Sequence, residues 1–229
     1  MTTARADQSA TLMADGRVLI EGGTNRAGET VQTTEWFDPA TNAFEPGRAL
    51  DVPRAAHVAV VAGSHVVLIG GTRGPQALAS TSVLTAGQWR PGPQLPTPLV
   101  KFAAVALDDH RIFVVGGSSS AEGQDRFRTT AIVDLERNLV RPGPLLSEGE
   151  YKLDGAVVTL GDGRVVIAAG DRINVYTPDD NSISVLRKPA MGVRSFATAT
   201  AVAGDRVLAV GGYNDRISPT RRAWLVRIP

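Results

Sequence analysis

Short apolar runs alternate with glycine- and proline-marked breaks along the whole chain. Residues 53–71, PRAAHVAVVAGSHVVLIGG, show the unit: apolar segments at 55–62 and 65–69 joined at Gly63-Ser64, opened by Arg54 and closed by Gly70-Gly71. Short Val-rich runs bounded by turn residues are strand signals, so each such stretch predicts a hairpin.

The plan recurs at intervals of about fifty residues, and five units emerge. The first has Arg5, an apolar strand to Met13, a turn at Ala14-Asp15-Gly16, a strand over 18–20 and Gly22-Gly23. Then come Trp36-Phe37-Asp38-Pro39, the turn Thr41-Asn42 and a return strand ending at Pro46-Gly47. The second closes its hairpin at Gly70-Gly71 and continues through Ser82-Val83-Leu84 to Trp89. The third carries Lys101, a turn at Asp108-Asp109-His110, Gly116-Gly117 and Ile132-Val133-Asp134. The fourth has Lys152, Asp162-Gly163, Ala169-Gly170 in place of the diglycine, and Tyr176-Thr177-Pro178. The fifth has Arg194, Gly204-Asp205, Gly211-Gly212 and a last strand over 223–228. One domain over residues 1–229 is expected.

These residues resemble the kelch repeat, whose blades carry an innermost strand, a second strand ending in Gly-Gly, a third with Tyr-Asp-Pro-like residues and a fourth with Trp. The resemblance covers nearly the whole chain and rests on four diglycines in register, Trp36-Phe37-Asp38-Pro39, Tyr176-Thr177-Pro178 and Trp89. It departs in the fourth strands, where Phe44, Val140 and Ile183 stand in place of Trp, and at Ala169. It implies an all-β, kelch-type β-propeller of about five blades of mostly four antiparallel strands. One four-stranded blade cannot cover both its apolar faces, so blades pack side by side about an axis. The fifth unit lacks a fourth strand: a closed five-bladed ring is expected, with a larger ring cut short as the rival.

With 24 Lys+Arg against 23 Asp+Glu the chain carries +1, so no bulk attraction to nucleic acid or anionic membrane is expected. Cys is absent, which excludes disulfides, thiolate nucleophiles and thiolate metal sites. It also excludes the copper-radical oxidases that resemble kelch proteins, which need a Cys crosslinked to Tyr. Residues 1–11 lack an apolar leader and no run is long enough to span a bilayer, so a complete chain would be cytoplasmic. Neither a nucleotide-binding fingerprint nor a G-x-S-x-G or H-E-x-x-H motif occurs, and no cofactor or metal is expected.

The tight hairpin turns lie on one end of such a body, with His65 and His110 among them. The longer, charged loops 24–32, 72–79, 118–128 and 213–221 lie on the other, where sites are usually built. About sixteen residues before each diglycine stand Arg5, Arg54, Lys101, Lys152 and Arg194. They are expected to ring the channel mouth and bind an acidic ligand, or else to hydrogen-bond blade carbonyls as part of the repeat. Asp7 and Asp154 follow two positions after a cation, and Glu21 fills a slot held elsewhere by Ile69, Val115, Ala168 and Val210. Pairing through the Asp15-Gly16 turn places Glu21 opposite Ala10, with Arg5 as its expected partner. His57 falls opposite Gly70 and is a candidate base, although a His here is common in kelch repeats. Tyr151 belongs to the same end.

Two functions follow. The first is a binding module whose cation-ringed mouth takes an acidic small molecule or an acidic partner segment. The second is a cofactor-independent isomerase, cyclase or epimerase using Glu21, Asp7, Asp154, His57 and Tyr151 as acids and bases, in the manner of kelch-like sialate epimerases and mutarotases.

Overall fold

The computed structural model describes residues 1–121, 125–186 and 191–229. They are all-β, without a helix, and none is therefore long and apolar enough to cross a membrane. Sheet 1 comprises β1 (Ser9–Leu12), β2 (Val18–Glu21), β3 (Thr34–Asp38) and β4 (Ala43–Pro46). Sheet 2 has β5 (Val58–Ala62) and β6 (His65–Ile69), then a small hairpin of β7 (Thr72–Arg73) and β8 (Gln76–Ala77), then β9 (Thr81–Thr85) and β10 (Gln88–Pro91). Sheet 3 has β11 (Ala103–Ala106), β12 (Arg111–Val115), β13 (Thr130–Asp134) and β14 (Leu139–Pro142). Sheet 4 has β15 (Val157–Thr159), β16 (Val165–Ile167), β17 (Ile173–Thr177) and β18 (Ser182–Leu186). Sheet 5 has three strands: β19 (Thr198–Val202), β20 (Arg206–Val210) and β21 (Ala223–Arg227). Within each sheet the strands lie antiparallel in chain order.

The second strands of the three middle units are continuous apolar runs because both their faces are covered. Side chains alternate across a strand, so Val66 and Leu68 meet Leu19 of sheet 1, while Val67 and Ile69 meet Ile112 and Val114 of sheet 3. The pattern continues with Phe113 against Ile167 and Tyr176, the two rings stacked 4.1 Å apart, and with Val166 against Val207. Face-to-face burial in chain order thus makes four apolar layers, one between each pair of successive sheets. The first strands follow the same series, β1 against β5, β5 against β11, β11 against β15 and β15 against β19.

The diglycines exist for close approach. A Cβ on Gly22, Gly70 or Gly116 would lie 2.2, 2.5 or 2.6 Å from the carbonyl oxygen of Arg54, Leu99 or Glu150 in the next unit, at φ near +60° in each case. Gly211, the corresponding residue of sheet 5, has nothing within 4 Å. The expected ring closure is therefore not made the way the first three junctions are: among the described residues, no segment of sheet 1 meets sheet 5 at this point.

Candidate functional site at the axial cavity

The hydrogen bonds made by the diglycines align the segments that lead into the first strands. Gly23 N, Gly71 N, Gly117 N and Gly170 N donate to Arg54 O, Leu99 O, Glu150 O and Arg194 O, at 2.9, 2.9, 2.8 and 3.2 Å. Ala6, Ala55, Val100 and Ser195, each one residue further on, bridge to Thr24, Thr72, Ser118 and Tyr213. The equivalent residues are therefore Arg5, Arg54, Leu99, Glu150 and Arg194. The expected ring of five cations is corrected to three arginines, a leucine and a glutamate. Lys101 and Lys152 stand two residues later, in line with Asp7, Ala56 and Phe196. All five of these are held at φ between 51° and 56°. Left-handed backbone at a non-glycine residue costs roughly 1 kcal/mol, so the units share a strained corner, and four of its five residues line one cavity.

The arginines do not face it. Arg5 donates to Gly22 O (2.9 Å), Thr33 O (2.8 Å), Thr33 Oγ1 (3.1 Å) and Glu35 Oε1 (2.8 Å) within its own sheet. Its ionic partner is Glu35, not the expected Glu21. Arg54 is fully buried and repeats the pattern on Gly70 O, Ser80 O, Ser80 Oγ and Ser82 Oγ, at 2.7–3.2 Å. Burial lowers its pKa to about 10, against the opposing charge of Asp51. Arg194 reaches Val193 O and lies 5.9 Å from the Trp224 ring. The cause is local: carbonyls between second and third strands need donors, and a planar guanidinium fork supplies several at once.

That cavity, of about 510 Å³, is lined by the lead-in segments of all five sheets. Asp7, His57, Lys101, Asp154 and Phe196 come together there. So does Ser9, which sequence reasoning missed. Ser9 Oγ donates to Glu21 Oε2 at 2.7 Å and lies 2.7 Å from His57 Nε2, linking sheet 1 to sheet 2. Glu21 pairs with Ser9, not Ala10, because Met13 N bonds Arg17 O around a three-residue turn, shifting the register by one. Burial pushes Glu21 up to about 7 against the hydrogen bond from Ser9. Burial, with the Arg54 charge behind it, pushes His57 down to about 3. Glu21 Oε1 and His57 Nδ1 are buried without a protein partner.

Tyr151 stands apart from the residues lining this cavity. Lys152 and Arg126 each lie 4.8 Å from its ring and Lys101 5.8 Å. Burial alone would raise the phenol pKa; Lys152 and Arg126 outweigh it and lower it. Lys152 Nζ donates to Tyr213 Oη (2.9 Å), Arg126 pairs with Asp215 (2.9 Å), and Lys101 Nζ reaches Ala121 O. Sheets 3, 4 and 5 thus share a cationic, aromatic patch in which Arg126 was not anticipated. The 118–128 loop falls partly outside the described residues. Among the described residues no group of three His, Asp or Glu is placed to hold a metal ion.

No protein-family model matches the chain, and no curated protein does. A solved structure of YjhT is similar, with a TM-score of 0.74 at 12% identity, covering 98% of this chain and 82% of that one. Likeness at that identity speaks for a common fold alone.

Proposed function

We propose that this chain is a kelch-type β-propeller whose axial cavity performs proton transfer on a small anionic molecule. Five antiparallel sheets stacked in chain order, the diglycine junctions and the likeness to YjhT support the architecture. One observation carries the chemistry: Ser9, on the cavity wall, is hydrogen-bonded to buried Glu21 and to His57. A carboxyl with a pKa near 7 gives and takes protons at neutral pH with little penalty either way. Glu21 has no exposed surface, so its proton reaches a ligand only through Ser9. Ser9 Oγ takes a proton from the bound molecule as its own hydrogen moves to Glu21 Oε2, and the reverse step returns it. Neutral His57, donating through Nε2, stabilises the charge that develops on Ser9 Oγ. Lys101 lines the cavity, and its positive charge, with the ammonium held on Ala121 O, favours an anionic ligand.

Incubating small hydroxy- and oxo-carboxylates in D2O and following carbon-bound deuterium by NMR tests this. Exchange should appear for at least one compound and fall about 100-fold in Glu21→Gln and in Ser9→Ala, the usual worth of a positioned proton carrier. A panel that stays unlabelled, or labelling indifferent to both substitutions, removes the reading.

A second reading, docking of an acidic partner segment, is favoured by the three cations around Tyr151. A Glu-rich peptide should bind, weaken as salt rises, and lose about tenfold in affinity in an Arg126→Ala, Lys152→Ala double variant. Unchanged affinity in that variant counts against it.

A further inference from the structure

We propose that the pocket between sheet 3 and the segment 94–99 that leads into it is a binding site for a guanidinium group on an aliphatic stem. The chain itself provides two worked cases of such a site. In sheets 1 and 2, Arg5 and Arg54 insert a guanidinium between the last carbonyl of the hairpin (Gly22 O, Gly70 O) and the carbonyl and hydroxyl of Thr33 or Ser80. In sheet 3 the equivalent residue is Leu99, which has no polar tip. Two sets of bonds fix the equivalence. Leu99 O and Arg54 O accept from the preceding diglycine, and each residue stands four after a buried leucine, Leu95 or Leu50, whose N–H bonds the preceding third-strand lead-in at Ala79 or Gln32.

Three of the four acceptors that hold Arg54 have counterparts here although the arginine is gone; the fourth, Ser82 Oγ, gives way to Ala131. Gly116 takes the place of Gly22 and Gly70, and Gly116 N donates to Thr129 O as Gly70 N does to Ser80 O, which makes Thr129 the counterpart of Ser80 and preserves the hydroxyl. A cavity of about 410 Å³ opens beside them, lined by Leu99, Gly116, Thr129 and Ala131 and walled by Leu95 and Val140. No hydrogen bond from a described residue ends on Gly116 O or Thr129 Oγ1. Acceptors facing an apolar cavity select a donor-only ligand: carboxylates and phosphates offer them nothing, and an ammonium offers a point charge where a planar fork fits. The apolar wall suits the methylene stem. All four hydrogen bonds of Arg54 end on neutral oxygens, with the Asp51 charge acting on it from outside that set, so direct contact with a carboxylate is not required.

Titration calorimetry with ethylguanidinium, against isosteric neutral ethylurea and against butylammonium, is the test. Ethylguanidinium should bind at least about tenfold more tightly than either, equivalent to about 1.4 kcal/mol. Leu99→Arg should fill the pocket from within, abolish that binding and raise Tm. Thr129→Val, at an exposed position that leaves folding intact, should weaken ethylguanidinium several-fold and leave ethylurea unchanged. Agmatine and an N-acetylated, C-amidated Gly-Arg-Gly peptide then separate a free guanidine from an arginine of another polypeptide, and tight binding of either supports the site. Equal affinity for ethylurea, or ethylguanidinium binding that persists in Leu99→Arg or is indifferent to Thr129→Val, overturns it.

Discussion

Replacing Arg54 by Met is expected to lower the free energy of unfolding by roughly 4 kcal/mol, read as a shift in urea midpoint at unchanged slope. Met keeps most of the stem volume, so the loss comes from the guanidinium. Its four hydrogen bonds end on Gly70 O, Ser80 O, Ser80 Oγ and Ser82 Oγ in a fully buried setting, and each abandoned acceptor costs about 1–3 kcal/mol less whatever water can enter. Arg54→Lys should recover only a fraction, because one ammonium cannot span acceptors on two strands. The result separates two roles. An arginine serving a ligand at the axis would leave stability within about 0.5 kcal/mol of the unsubstituted protein, whereas one that closes its own sheet moves the midpoint strongly. Sheet 3 shows that the repeat folds without the residue when Leu99 supplies apolar contact instead, at the expense of a pocket.

The architecture was legible because it is written in periodicity. The run over 65–69 is β6 residue for residue, and the turns at Gly63-Ser64 and Asp162-Gly163 fall where glycine and aspartate predict them. The alignment of the lead-in segments was not legible, for a geometric reason. Counting back from a diglycine assumes equal hairpins, yet the turn of sheet 2 has two residues and that of sheet 1 has three. The lead-in of sheet 4 also carries a left-handed Gly155. A nearest-cation rule therefore selected Lys101 and Lys152 where hydrogen bonds select Leu99 and Glu150. The same one-residue slip hid Ser9, since it put Glu21 opposite Ala10. Nor does spacing say which way an arginine turns. That is decided by unpaired carbonyls between second and third strands, which leave no mark in the pattern of apolar residues. What did survive at the site is compositional: a carboxylate in an apolar slot, Glu21, is indeed buried and shifted.

Stability should fall as pH rises from 5 to 8, with Tm about 10 °C lower at the upper end. Glu21 is raised to about 7 and Glu150 to about 8; burial is the main cause in both, with Glu148 and Asp171 adding to it at Glu150 and Arg126 opposing. Between the ordinary carboxyl range and those values the folded chain holds two protons that the unfolded chain has released. Proton uptake thus favours folding at low pH, and the advantage disappears as pH climbs through 7 and then 8. His57 works the other way: its pKa of about 3 means the unfolded state binds the extra proton below about 6.5, so its contribution is lost as pH falls. From pH 5 to 6.5 it offsets one carboxyl; above that nothing does. At about 1.4 kcal/mol per unit, the net loss across the range is on the order of 4 kcal/mol, and each kcal/mol moves Tm by about 2–4 °C at this chain length. Calorimetric scans of the unsubstituted protein and a Glu21→Gln, Glu150→Gln double variant check the sign. The variant should be nearly flat above pH 6.5, where the parent descends. A parent Tm that climbs toward pH 8, or a variant with the parent's slope, would show that neither carboxyl is held protonated.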